Sequence, residues 1–458
     1  MACNRLQPTT APPSLAVIGN LEGTTEPCGC TSRPLGGVDR LAQTLMAWRQ
    51  AGPTALAVVG DTFVTESAPA EQMRRHEQDK AKALAEIVAK LQPAAVALGP
   101  KDHGSQWQTL QGLPAATRRA LQLDGAQGEG TPSSRDAAAT PWPAIKVPLG
   151  RGSAWLLRAA APPPADAAAR VTYVAALTAQ ARRLRQPTAG QAPGPIVALW
   201  PYSVAAARQA LEGLGEVDII LTGGTSVLTG DANAALTPEP VGSATLLQAG
   251  ARGERLGRLR LHNAERPGPW QFFDGSRSQR LALTARAEQL AAAAAALPEG
   301  PGRDARVARA AALHAAAAAL PNAPPGGAYY TWDLEDIDTS HPPAPWASQA
   351  LARFNASLCD SARADTAKRT CPPAATPADA YVGTQACQGC HSQAFAVYAK
   401  TAHARAWATL TDAGKQCDLS CVGCHVVGFE QPGGFCHLAD APTWANVGCE
   451  SCHGPGAG

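Results

Sequence analysis

The chain has 458 residues, 39 Lys+Arg against 37 Asp+Glu for a formal net charge of +2, and 45% hydrophobic residues. That length has room for about three domains. A balanced charge without any Lys/Arg block gives no case for nucleic acid as a partner, and no window approaches the roughly 18 apolar residues of a membrane-spanning helix. Residues 1–13 read as a flexible segment holding Cys3 and a run ending in Thr-Thr-Ala-Pro-Pro. Residues 14–265 read as an α/β domain. Short apolar runs mark strands at 14–18, 55–59, 94–98, 154–157, 171–176, 196–200, 218–221 and 245–248. Helical spacing marks 38–51, with Leu41, Leu45 and Trp48 on one face, and 71–91. Residues 279–320 read as two Ala/Arg/Leu-rich helices broken at 298–302, and a further helix is expected over 346–358. Their alanine runs indicate tight helix packing. Residues 366–378 are polar and Pro-rich, so 266–378 as a whole reads as a helical and Pro-rich linker. A last segment, 379–458, follows.

Thirteen cysteines are the informative count. Six fall in three CxxCH motifs: Cys387-Gln-Gly-Cys390-His391, Cys421-Val-Gly-Cys424-His425 and Cys449-Glu-Ser-Cys452-His453. This spacing attaches c-type haem: two thiols add to the vinyl groups of the porphyrin and the following imidazole ligates iron. Zinc is the competing reading. However, 24 residues separate Cys424 from Cys449, more than the roughly 15–20 of a zinc ribbon, and a ribbon gives no reason for His after each pair. Haem attachment occurs outside the cytoplasm, where disulfides form. Cys417 and Cys436 flank the second motif and are expected to close a loop around it, with Cys359 and Cys371 closing another. Cys28-Gly-Cys30 is too tight for an ordinary bridge, and a strained redox pair, a thiolate metal pair and two halves of other bridges stay open. Cys3 reads as a lipid-anchor site or a free terminal thiol. Its surroundings resemble the start of a mature bacterial lipoprotein, with an export signal expected ahead of it. The last residues, five beyond His453, leave little chain to wrap a haem, so the segment is expected to continue past 458.

The runs Tyr381-Val-Gly-Thr-Gln-Ala-Cys387 and Thr401-Ala-His403-Ala-Arg-Ala406 resemble the multihaem cytochrome c-554-like family. So do Cys424-His425-Val-Val-Gly-Phe429, Pro432-Gly-Gly434 and Gly448-Cys449-Glu-Ser-Cys452-His453-Gly-Pro-Gly456. The resemblance covers 379–458. It implies closely stacked haems that pass electrons, with His391, His425 and His453 as proximal iron ligands and His403 as a distal ligand. His403 also suits that role by position, 12 residues beyond His391 on an expected helix over 393–410. His437 is a weaker candidate.

Residues 14–265 resemble the calcineurin-like metallophosphoesterases of the bacterial 5′-nucleotidase branch. The matching stretches are Val17-Ile-Gly-Asn20-Leu-Glu22-Gly23, Val59-Gly60-Asp61, Leu98-Gly99-Pro100-Lys101-Asp102, Leu221-Thr-Gly223-Gly224-Thr225-Ser226 and 249–259. The resemblance implies a two-metal site, which needs O and N ligands from several loops. Asn20, Glu22, Pro100, Lys101, Gly224 and Ser226 stand at ligand or catalytic positions, and of the expected ligands Asp61 alone is kept. His103, Glu22, Cys28 and Cys30 are the residues from which a rebuilt site would draw.

The expected fold is an α/β sandwich of metallophosphoesterase type, then a helical linker, then a small, mostly α multihaem domain in which haem dominates the core. The expected function is electron transfer by a periplasmic or cell-surface bacterial multihaem cytochrome, whose partners are other cytochromes. A haem-fused 5′-nucleotidase-like hydrolase, or a multihaem oxidoreductase acting on a small nitrogen or sulfur oxyanion, is the alternative.

Overall fold

The structure, a computed structural model, describes residues 11–27, 34–69, 71–104, 107–123, 142–150, 152–159, 162–186, 192–223, 236–266, 268–320, 326–366 and 373–457. The readings placed on Cys3, Cys28, Cys30, Cys371, Gly224 and Ser226 lie outside the described residues. The chain divides into two compact units. One runs up to Ser67 and from Ala85 to Ala344; the other joins Ala68–Leu84 to the residues from Pro345 onward.

The first unit contains β1 (Ser14–Ile18), β2 (Thr54–Gly60), β3 (Ala95–Leu98), β4 (Ala144–Leu149), β5 (Gly152–Arg158), β6 (Ile196–Leu199), β7 (Ile219–Thr222), β8 (Glu239–Val241), β9 (Ala244–Gln248), β10 (Arg255–His262), β11 (Gln271–Phe272) and β12 (Tyr329–Asp336). They form two mixed six-stranded sheets, ordered β11-β12-β10-β1-β2-β3 and β4-β5-β6-β7-β9-β8. The central strands β1, β2, β6 and β7 are parallel to a neighbour and buried on both faces, which is why they read as unbroken apolar runs. Leu15, Val17, Ala57 and Val59 of the first sheet share one core with Leu156, Val197, Leu199 and Ile219 of the second. The outer face of the second sheet presents Ile196, Ala198 and Ile220 to Tyr173, Val174 and Leu177 of helix Ala167–Leu184. The α/β sandwich expected from the sequence is formed.

Two expectations for this unit are corrected. Residues 171–176 are helix, inside Ala167–Leu184. Val171, Thr172 and Val174 suggest a strand, but the Asp166 carboxylate caps the helix by accepting from Ala169 N at 2.8 Å. The burial of Tyr173, Val174, Leu177 and Ala181 then follows the helical period, leaving Val171 72% exposed. Residues 266–344 are not a linker. β12 pairs with β10 along its whole length, from Arg255↔Asp336 to His262↔Tyr329. Tyr330 and Trp332 enter the core between the sheets, and the Tyr330 hydroxyl donates to Asp218 O at 3.0 Å. Gly257 on β10 has no room for a side chain, because a Cβ there would lie 2.2 Å from the Trp332 ring. Helices Arg277–Ala295 and Pro301–Ala319 form a hairpin between β11 and β12, closed where Arg280 donates to Ala317 O.

The second unit has no strand among its described residues. Helix Pro345–Thr366 belongs to it and not to a linker. Apart from the first part of helix Glu71–Lys90, the remaining α-helices are short: Ser392–Tyr398, Ala406–Asp412, Leu419–His425, Ala441–Trp444 and Glu450–His453. One apolar cluster there buries Leu410, Val422, Val426 and Phe435. Cys417 bonds Cys359, with Cα atoms 5.0 Å apart, instead of Cys436. Phe354 and Leu358 lead the long helix into the cluster that holds Cys417, and this docking brings Cys359 to it. Cys436 is disulfide-bonded as well, to neither of these two. The expected helix over 393–410 is broken, and His403 begins a 3₁₀ turn, His403–Arg405, between two helices.

Candidate haem sites and the cleft of the first unit

The three CxxCH motifs sit at or inside short helical turns. Cys421, Cys424 and His425 lie on helix Leu419–His425. Cys449 precedes Glu450–His453, and Cys387 lies in the 3₁₀ stretch Thr384–Gln388 that leads to His391 and helix Ser392–Tyr398. Helical spacing of three and four residues puts both thiols and the imidazole on one side of the turn. None of the six thiols is in a disulfide, and the second of each pair is exposed. Burial, together with the neighbouring Cys449, pushes the Cys387 thiol up from its ordinary value.

His425 is the best-oriented imidazole. Its Nδ1–H donates to the carbonyl of Ala406 at 2.5 Å, which fixes the ring and leaves Nε2 for a metal. Asn446 ties the same region together: its amide donates to His425 O at 2.8 Å, and its side-chain oxygen accepts from Trp407 N at 2.9 Å. His403 lies next to this region, accepting from Val447 N through its backbone, with its side chain exposed.

The helix of the second motif starts on a buried polar cluster that sequence reasoning missed. Asp418 caps it by accepting from Ser420 N at 3.0 Å. His76 Nε2 lies 3.2 Å from Asp418 Oδ1 and 2.9 Å from Ser420 Oγ. Burial alone would raise Asp418. The His76 hydrogen bond and charge, with Lys415 and Lys80, outweigh it and hold the carboxyl well below the usual carboxylate range.

These residues fit covalently attached haem. No residue from Thr384 to Arg405 is buried. Helix Ser392–Tyr398 holds Phe395, Val397 and Tyr398, and Val397 is 68% exposed. A porphyrin held by Cys387 and Cys390 supplies the apolar cover that the polypeptide does not.

In the first unit, the loops after β1, β2 and β3 converge at one end of the first sheet. Asn20 Oδ1 accepts from Asp61 N at 3.1 Å, and Asp61 Oδ1 accepts from Lys101 N at 2.8 Å. Gly60 and Gly223 give Asn20 its space, since a Cβ would lie 1.7 Å and 2.1 Å from its Oδ1. The Lys101 ammonium bonds Glu22 Oε1 at 3.1 Å, and Arg252 approaches the other oxygen at 3.5 Å. Glu22 itself has φ 51, in the left-handed region. A cavity of about 840 Å³ opens beside these loops, lined by Asn20, Asp61, Pro100, Tyr202, Arg208 and Gln248. Burial raises the Asp61 carboxyl, opposed by Lys101. The His103 ring meets that of Trp107 at a tilt of 41°, centroids 4.7 Å apart. Among the described residues, no group of three or more His, Cys, Asp or Glu side chains is arranged to hold a metal ion. Asp102 is completely buried and accepts from Thr62 N at 2.8 Å and Phe63 N at 2.7 Å.

Residues 386–454 match the family model described as cytochrome c554 and c-prime. The curated cytochrome c-554 of Nitrosomonas europaea is 40% identical over 91 residues, 17% of this chain and 39% of that cytochrome. The C-terminal segment is cytochrome c-554-like. Covalently bound haem c follows for it, in accord with the thiol and imidazole sets. Among solved structures, the chain is similar to the Thermus thermophilus sulfate thiohydrolase SoxB in complex with glycerol, at 13% identity and TM-score 0.34, covering 56% of this chain and 54% of that one. It is also similar to a Staphylococcus aureus protein described as a 5′-nucleotidase, at 15% identity and TM-score 0.32, covering 54% and 50%. The chain thus spans less than two thirds of each of these proteins.

Burial, helped by the Asp61 charge and opposed by its backbone bonds, pushes the Asp102 carboxyl up to about 7. The folded chain therefore holds this proton more tightly than the unfolded chain, whose carboxyl titrates near 4. The contribution of Asp102 to stability must fall as pH rises from about 4 to about 7. Denaturant midpoints across that range should decline more steeply for the wild type than for Asp102→Asn; equal slopes would contradict this assignment.

Proposed function

We propose that this chain is an extracytoplasmic multihaem c-type cytochrome that transfers electrons through three covalent haems, joined to a phosphoesterase-like domain without hydrolytic activity. The observation that carries the reading is the set of three CxxCH motifs, one of which has its imidazole already oriented by the Ala406 carbonyl. Cys387 and Cys390, Cys421 and Cys424, and Cys449 and Cys452 attach the haems. His391, His425 and His453 ligate iron, and His403 takes the far side of one iron. When bound, haem supplies a one-electron couple. The chain's own residues anchor it, orient the ligands and exclude water, the last through Trp407, Phe429, Phe435 and Trp444.

The Cys359–Cys417 disulfide supports an oxidising compartment outside the cytoplasm. A lipid on Cys3 would hold the protein at a bacterial membrane surface, and other cytochromes are the partners that exchange electrons with it. In the first unit, Lys101 puts an ammonium beside Glu22 where the resemblance implies metal. One carboxylate, Asp61, cannot offset the dehydration of two cations or fix them about 3.5–4 Å apart. The cleft is therefore read as a remnant of a two-metal site.

Protein matured in a cytochrome c maturation system should gain the mass of three haems. Two or fewer in fully matured protein would remove at least one motif from the assignment. His403→Ala should convert one low-spin iron to high spin or to a form that binds carbon monoxide. An unchanged spectrum would make His403 a surface residue. The full chain should release no phosphate from nucleoside monophosphates with manganese, zinc or cobalt. Turnover abolished by Asp61→Ala would show that the site has been rebuilt around other ligands.

A further inference from the structure

Glu450 lies inside the third motif, between Cys449 and Cys452, and is only 4% exposed. Its carboxylate collects three backbone N–H groups from two separate stretches of chain. Oε1 accepts from Val382 N at 2.9 Å and Gly456 N at 2.8 Å; Oε2 accepts from Gly383 N at 2.8 Å. Val382 and Gly383 lead into the first motif, and Gly456 follows the third. Gly448 presses on the same place, since a Cβ there would lie 2.0 Å from Thr384 Oγ1. Ala457 N continues the contact to Ala380 O at 3.3 Å. A buried carboxylate with several N–H donors is a strong joint, and a buried N–H stripped of its acceptor is costly.

We propose that Glu450 is the positioning residue that holds the first and third haem-attachment motifs in register. This rests on the haem reading above. The thiols Cys387 and Cys449 both flank this joint, Cys387 four residues after Gly383 and Cys449 directly before Glu450. Once thioether bonds fix the ends of the Cys449–Cys452 turn, Glu450 is carried on a rigid element. Its bonds to Val382 N and Gly383 N then transmit that placement to the chain entering Cys387. The second motif is held by other groups, Asp418, Asn446 and the Ala406 carbonyl, so it is independent of Glu450.

The test uses the full haem-loaded chain, with Glu450→Gln as the variant and Glu299→Gln, 94% exposed in the bend between two helices, as the control. Gln keeps the shape, but its NH₂ end faces an N–H donor where the carboxylate accepted. Haem-methyl NMR resonances and midpoint potentials should change for the haems of both the first and third motifs and stay as in the wild type for the second. Amide exchange at Val382 and Gly383 should speed up about tenfold or more, as expected for loss of a charge-assisted bond. If Glu450→Gln loses haem, loss or change at both motifs sustains the proposal. Glu450→Asp, too short to reach all three donors, should then give the same two-motif pattern in milder form. Change confined to the third motif, or no change, overturns it. Wild-type protein without covalent haem would instead refute the haem reading itself, which mass measurement of the wild type detects separately.

Discussion

The C-terminal segment has almost no side-chain core of its own. From Thr384 to Arg405 nothing is buried, and beyond it the interior is little more than Leu410, Val422, Val426 and Phe435. Apolar burial drives folding at roughly 25 cal/mol per Å², and a segment this poor in buried apolar area must bring its core from elsewhere. Covalent porphyrins meet that need. The polypeptide is left with what a wrapped cofactor requires: short helical turns that present thiols and imidazoles, and polar joints between them. His425 against Ala406, Asp418 at the start of its helix, and Glu450 across two motifs are those joints.

The first unit solves the opposite problem. Two six-stranded sheets bury their facing surfaces in one continuous core, and loops at the strand ends are free to carry chemistry. At the cleft of this unit Asn20 accepts from Asp61 N, and Gly60 and Gly223 give Asn20 its space. Its charges are satisfied internally: Lys101 pairs with Glu22, and Asp102 accepts from backbone amides.

Local chemistry was legible in the sequence. CxxCH is a covalent motif read within five residues, and buried parallel strands such as β1 and β2 announce themselves as apolar runs. Non-local pairing was not. β12 has its partner β10 more than sixty residues away, across a helical hairpin and a Pro-rich stretch, so Tyr330 and Trp332 read as part of a linker. The β-branched Val171 and Val174 were outweighed by the Asp166 cap and by helical burial. Disulfide connectivity cannot be deduced from spacing, and Cys417 found Cys359 because helix Pro345–Thr366 docks there. Glu450 was hidden for a related reason, since its partners are backbone amides that carry no sequence signal.

The claim that haem is the core of the C-terminal segment is tested most directly by hydrogen exchange, comparing the haem-loaded chain with the same chain made without haem attachment. Amides of helix Ser392–Tyr398 and its neighbours across 384–405 should be strongly protected in the loaded protein and should exchange at nearly unfolded rates in the haem-free one, while β1, β2, β6 and β7 exchange alike in both. Equal protection of 384–405 in the two forms would show that the polypeptide supplies its own core there, and would contradict the account.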